Sequence, residues 1–119
     1  DEVIRVFRSS GISRPVDDRA RIETMLRRAN LLVSAWEGDT LVGVCRALTD
    51  FSYCCYLSDL AVCASHQRSG IGKRLIEIVR ESLGPKVSII LLSAPDAMLY
   101  YPTQGFSRID NGFIVRRKY

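Results

Sequence analysis

The chain has 119 residues, of which 47% are apolar and 25% charged, and carries a formal net charge of +4. That is enough for one compact domain with one core, here taken as residues 1–119. No apolar run reaches the ~18 residues of a membrane-spanning helix, and the scattered basic residues form no stripe of the kind that binds nucleic acid. The mild positive field suits an anionic small ligand. The N-terminal Asp1-Glu2-Val3-Ile4-Arg5 has neither the basic start nor the long apolar stretch of a secretion signal, so a cytoplasmic location is expected. Cys45, Cys54, Cys55 and Cys63 sit in apolar segments without metal-ligand spacing. They read as small thiols in a reducing compartment, with no metal site expected.

In chain order, the β-rich Val3–Phe7 predicts a first strand, broken at Ser9-Ser10-Gly11. Pro15 to Asn30 predicts a helix, with Ile22, Met25, Leu26 and Ala29 at helical spacing. Leu31–Trp36 and Thr40–Leu48 predict an antiparallel hairpin about Glu37-Gly38-Asp39. Tyr53–Cys63 predicts a central strand covered on both faces. The amphipathic segment with Ile71, Leu75, Ile78, Val79 and Leu83 predicts a helix stopped by Gly84-Pro85. Val87–Leu92 predicts a buried strand, parallel to Tyr53–Cys63 through a right-handed crossover. Pro95–Tyr101 predicts a short helix. Phe106–Asp110 and Phe113–Arg117, flanking Asn111-Gly112, predict a last hairpin. The sum is an α/β domain: a mixed antiparallel and parallel sheet flanked by helices.

The chemistry concentrates at Gln67-Arg68-Ser69-Gly70-Ile71-Gly72-Lys73, where a strand ends and a helix starts on glycines. Free N–H groups and the helix dipole there favour a phosphate or pyrophosphate. A P-loop is excluded because Arg74 follows Lys73 and no glycine lies five residues before Gly72. A dinucleotide fingerprint is excluded because Leu75 stands at its third glycine. The remaining pattern, [RQ]-x-x-G-x-[GA], is matched in full. It is the coenzyme A turn of the GNAT N-acetyltransferases, which this chain resembles. Tyr56–Val62 resembles the strand before that turn. Ala97-Met98-Leu99-Tyr100-Tyr101-Pro102-Thr103-Gln104-Gly105-Phe106 resembles the second signature, A-x-x-[FL]-Y-x-x-x-G-F. The resemblance covers essentially the whole chain. It departs in two places: Ala94 stands near a frequent asparagine, and only one helix is expected where the family carries two. The first helical region is therefore expected to be shortened and the acceptor side open.

The resemblance implies an acetyl-CoA-dependent N-acetyltransferase acting on a primary amine of a small molecule or peptide. Transfer is by direct attack in a ternary complex, without a metal. It implies that Leu60, Ala61 and Val62 hold the pantetheine arm and acetyl group. Gln67, Arg68, Ser69, Gly70, Ile71, Gly72 and Lys73 would hold the pyrophosphate. Arg68 reads equally as a solvated side chain. Tyr101 is the implied acid to the leaving thiolate, its ordinary pKa near ~10 suiting that role. Asp59 is the candidate base, with a structural hydrogen-bonding role as the alternative. His66, the only histidine, sits beside the pyrophosphate turn and is a poor candidate. Asp17, Asp18, Asp50 and Asp59 are the acids that would favour a cationic acceptor if they rim its groove. Two other readings stay open: an acetyl-CoA-binding regulatory module without turnover, and a protein lysine or N-terminal acetyltransferase. A homodimer is expected, because the shortened N-terminal region and the terminal hairpin, Phe106–Tyr119, expose apolar and strand-edge surface.

Overall fold

The computed structural model describes residues 1–119. Two helices precede the sheet: α1 (Glu2–Ser10) and α2 (Arg19–Arg28). Strands β1 (Leu31–Glu37), β2 (Thr40–Thr49) and β3 (Cys54–Val62) follow, then α3 (Ile71–Leu83), β4 (Ser88–Ile90) and α4 (Tyr100–Thr103). The sheet order is β1-β2-β3-β4, antiparallel except for the parallel β3–β4 pair. The hairpin of β1 and β2, and the β3-α3-β4 crossover, form as their sequence patterns predict.

The predicted first strand is a helix. Val3, Ile4, Val6 and Phe7 satisfy helical spacing as well as a β-rich run, and the helix puts Val6 and Phe7 at 0% exposure. Gly11 closes α1, its N–H reaching the Arg8 carbonyl. With α2 capped by the Asp18 carboxylate on the Arg21 N–H, the region before β1 holds two helices. The expectation of a shortened helical region is therefore overturned. Packing decides this: α1 and α2 cover one face of the sheet, where Val6, Phe7 and Ile22 meet Leu41, Val44, Ala61 and Cys63. Helix α3 covers the other face, with Leu75, Val79 and Leu83 on Cys45, Ala47, Cys55 and Leu57.

Strand β3 is not covered on both faces throughout, since Cys54 and Tyr56 are exposed. Strand β4 is three residues long instead of the predicted six, and Ile90 and Leu92 are exposed. The predicted hairpin over Phe106–Arg117 does not form; the chain there has no regular structure and its residues from Ser107 onward are exposed. A hairpin needs a neighbour to cover its apolar face, and here the residues beyond Ser107 pack against no core. The outer side of β4 borders a groove of about 700 Å³ lined by Arg80, Val87, Ser88, Ile89 and Phe106.

Two features of β3 place the site. Arg46 pairs with Asp59 but Ala47 pairs with Leu57, so Ser58 is an extra residue, a β-bulge. Pairing with β4 also stops at Tyr56–Ile90. From Leu57 to Val62 the strand has no partner strand on that side, and its alternate main-chain groups face the gap.

Candidate functional site

The coenzyme-type turn begins where β3 ends. A single 3-10 turn, Ala64–His66, leads to Gln67. Arg68 (φ 65°) and Gly70 (φ 90°) both adopt left-handed backbone, and α3 starts at Ile71. At Gly70 that conformation favours glycine, and a Cβ there would project into open space rather than protein. No side chain caps α3. The N–H groups of Arg68, Ser69, Gly70, Ile71, Gly72 and Lys73 donate to no acceptor within the protein, the first bond of α3 being Arg74 N–H to the Gly70 carbonyl. Six successive free amides, the positive end of a 13-residue helix, and the exposed side chains of Arg68 and Lys73 form a main-chain cradle for an anion. The donors and open space at Gly70 fit a diphosphate. Ser69 Oγ donates back to the His66 carbonyl. Gln67 Nε2 donates to the Val62 carbonyl at 3.0 Å, fastening the turn to the end of β3.

The second signature lies against this turn. Tyr100, at the start of α4, puts its hydroxyl oxygen 3.0 Å from where a Cβ on Gly72 would stand. Gly72 is therefore small to admit Tyr100, a reason distinct from that at Gly70. Tyr101 packs edge-on against Tyr100 and Phe106, ring centroids 5.3 and 5.6 Å away. Burial pushes its phenol up to about 12; neighbouring Cys45 and Tyr100 add to the shift and the Arg14 charge opposes it. The proton stays on the oxygen across ordinary pH.

The expected base does not have a base's surroundings. Asp59 is 0% exposed. Arg14 Nε donates to its Oδ1 at 2.5 Å, and Arg46 Nε donates to its Oδ2. The same guanidiniums hold Ser58: Arg14 Nη2 donates to its carbonyl at 2.6 Å and Arg46 Nη2 to its hydroxyl at 2.9 Å. Both carboxylate oxygens are thus taken by cations, which leaves Asp59 as the anchor of a buried ion cluster. Of the two sequence readings of Asp59, the hydrogen-bonding one agrees with this geometry. His66 is likewise committed, with Nε2 3.1 Å from Glu37 and Nδ1 2.8 Å from Ser65 Oγ.

The structure therefore brings together Leu60, Ala61 and Val62 on β3, Gln67 to Lys73 in the turn, and Tyr101 on α4. Asp59 it sets apart on the α1–α2 side of the strand. Sequence reasoning missed Arg14, Arg46 and Ser58. An arginine in a loop and another amid apolar residues at 41–48 carry no motif. A charged residue in an otherwise buried strand was the available signal, since such a charge needs a partner.

The chain matches the family model "Acetyltransferase (GNAT) domain" over residues 2–116, and it belongs to that family. Similar solved structures include a Staphylococcus aureus protein of unknown function, with TM-score 0.85 at 22% identity, covering 99% of this chain and 91% of that one. A GNAT-family acetyltransferase from Streptococcus pneumoniae has TM-score 0.77 at 22% identity, covering 99% and 90%. An aminoglycoside N-acetyltransferase in complex with CoA has TM-score 0.70 at 18% identity, covering 99% and 88%. At these identities the likeness is one of fold. No curated protein sequence matches the chain.

Proposed function

We propose that this GNAT protein is an acetyl-CoA-dependent N-acetyltransferase that acetylates a primary amine of a small molecule or peptide in a ternary complex. The observation that carries the reading is the run of six free amides from Arg68 to Lys73 at the start of α3, beside the unpaired edge of β3. A diphosphate accepts hydrogen bonds from that run, and Arg68 and Lys73 add charge at its mouth. The unpaired edge of β3 along Leu60, Ala61 and Val62, where alternate main-chain groups turn away from β2, suits an extended arm lying along the strand. When bound, acetyl-CoA supplies an acetyl thioester open to attack by a neutral amine.

Tyr101 holds its proton at the hydroxyl oxygen, ready for the departing sulfur, and its raised pKa keeps that donor loaded. Because the Asp59 oxygens are occupied by arginines and His66 is bound to Glu37 and Ser65, the amine's proton leaves to water rather than to a protein base. No metal takes part in this scheme. A cytoplasmic location belongs to the same reading, as does a homodimer. Phe113, Val115 and Tyr119 are at least 94% exposed and the outer edge of β4 is unpaired, so strand-forming residues and a free strand edge on one chain can satisfy their counterparts on a second copy.

The test is calorimetry with CoA and acetyl-CoA, followed by a thiol-release assay over a panel of amines. Micromolar binding with amine-dependent thiol release is expected. Binding without turnover of any amine would favour the regulatory module, and loss of both would remove the coenzyme reading.

A further inference from the structure

The charge balance on the α1–α2 side of β3, beside its unpaired edge, deepens this reading, on which it rests. One carboxylate, Asp59, is held between two guanidiniums, Arg14 and Arg46. The cluster carries one positive charge in excess. Its side chains are 26%, 9% and 0% exposed for Arg14, Arg46 and Asp59, so water screens that charge poorly. Arg14 has every nitrogen engaged, through Asp59, Ser58 and Ser13. Arg46 does not: Nε and Nη2 are used, while Nη1 has no protein acceptor and, since no buried side-chain nitrogen lacks a partner, it reaches solvent. Ser58 and Asp59 directly precede Leu60 on β3, beyond the point where pairing with β4 ends, so the cluster sits next to the unpaired edge of that strand.

Acids that could balance the charge or attract a cationic acceptor are used elsewhere. Asp17 pairs with Arg8 at 2.9 Å. Asp18 caps α2. Asp50 accepts the N–H groups of Ser52, Tyr53 and Cys54. The acids left without an ion pair or hydrogen bond, Asp39, Asp96 and Asp110, are exposed, on the β1–β2 turn, in the segment before α4 and in the C-terminal segment.

We propose that the acceptor is an amine that also bears a carboxylate, an amino-acid-type substrate, whose anion is drawn by the excess charge of the Arg14–Asp59–Arg46 cluster and bound by Arg46 Nη1. A polycationic acceptor would meet the wrong sign of charge. One unit of excess charge with one free donor matches a carboxylate better than a doubly charged phosphate ester.

The experiment compares amino acids with their own carboxamides, for example leucine with leucinamide and phenylalanine with phenylalaninamide. Phosphoethanolamine, spermidine and kanamycin complete the panel, with thiol release from acetyl-CoA as the first readout. At least one amino acid is expected to exceed its amide by tenfold or more in kcat/KM, mainly through KM, with spermidine and kanamycin poorer still. Arg46→Gln should erase the acid-over-amide preference while Arg46→Lys, which keeps the charge, retains part of it. Circular dichroism confirms that each variant is folded. Amides or polyamines equal to the acids would overturn the proposal, and phosphoethanolamine as the best acceptor would overturn the choice of carboxylate. The second readout does not need turnover: calorimetric binding of N-acetyl-leucine against N-acetyl-leucinamide to the CoA-loaded protein. Tighter binding of the acid upholds the inference even if no amine is acetylated, an outcome that would remove the enzymatic reading instead. Equal binding, or none, overturns the inference.

Discussion

The glycine turn and the arginine cluster lie close together in sequence, on either side of Leu60–Val62, yet they are built from opposite materials. The turn uses the main chain of six consecutive residues, with open space at Gly70. The cluster uses side chains from distant segments, with Arg14 45 residues and Arg46 13 residues from Asp59. A main-chain site tolerates many side chains provided the backbone can bend, so glycine alone marks it. A side-chain site tolerates almost no change in its own members, because each charge is buried on the strength of the others. Under our proposed function, the first holds the part of a ligand common to the whole family. The second, under our proposal, holds the part that differs.

The sharpest way to break this comparison is Asp59→Asn. If the carboxylate anchors the cluster, its loss leaves two guanidiniums facing each other with little water, and stability should fall by about 3–5 kcal/mol in chemical unfolding. If Asp59 is a base, the variant should unfold as the wild type does and lose turnover alone. Next in size is Gly70→Val, which places a branched side chain in open space at a left-handed residue. Loss of two or three charge-assisted hydrogen bonds at ~1.5 kcal/mol each should weaken CoA binding at least ~100-fold by calorimetry, in a protein with an unchanged circular dichroism spectrum. Unchanged affinity would move the diphosphate out of the turn.

Tyr101→Phe keeps the edge-on packing and removes the proton. Turnover with the best amine should drop by about 10²-fold while CoA affinity stays the same. The raised pKa sets the sign of the pH effect. A donor with a pKa pushed up to about 12 is protonated throughout the assay range and lost only as pH rises through that value. Wild-type kcat should therefore show no falling alkaline limb below about pH 11, and a limb near pH 10 would mean that the phenol is more exposed than it is here. The smallest effect is at Gly72. A methyl there meets the Tyr100 hydroxyl at 3.0 Å, and Gly72→Ala should cost CoA binding about 1 kcal/mol, some fivefold. Adding Tyr100→Phe should restore most of it. No recovery in the double variant would show that the methyl obstructs the ligand directly.

Legibility in the sequence followed the same division. The turn, the β3-α3-β4 crossover and the second signature were readable because each is contiguous, and its spacing alone implies its geometry. Val3–Phe7 misled because a five-residue apolar run fits both a strand and a helix, and only the core over Leu41 and Val44 decides. Phe106–Arg117 misled because Asn-Gly favours a hairpin but cannot supply the surface a hairpin must cover. Asp59 stands next to Leu60 in the sequence, but the bulge turns it toward Arg14 and Arg46. No local pattern announces a bulge, since it is a mismatch between two strands.

Ser58 is a residue the sheet does not need. Leu57 and Leu60 both face α3 although three positions separate them, because one extra residue is absorbed between them. A chain lacking Ser58 would run as an ordinary alternating strand, with Leu57 and Leu60 still in one core and Ala61 and Cys63 still in the other. It would be flatter there, and the hydroxyl and carbonyl that hold the two arginines would be gone. Such a deletion would leave every buried apolar side chain in place while dismantling the surroundings of Asp59. The length of this strand thus records a requirement of the site and not of the fold.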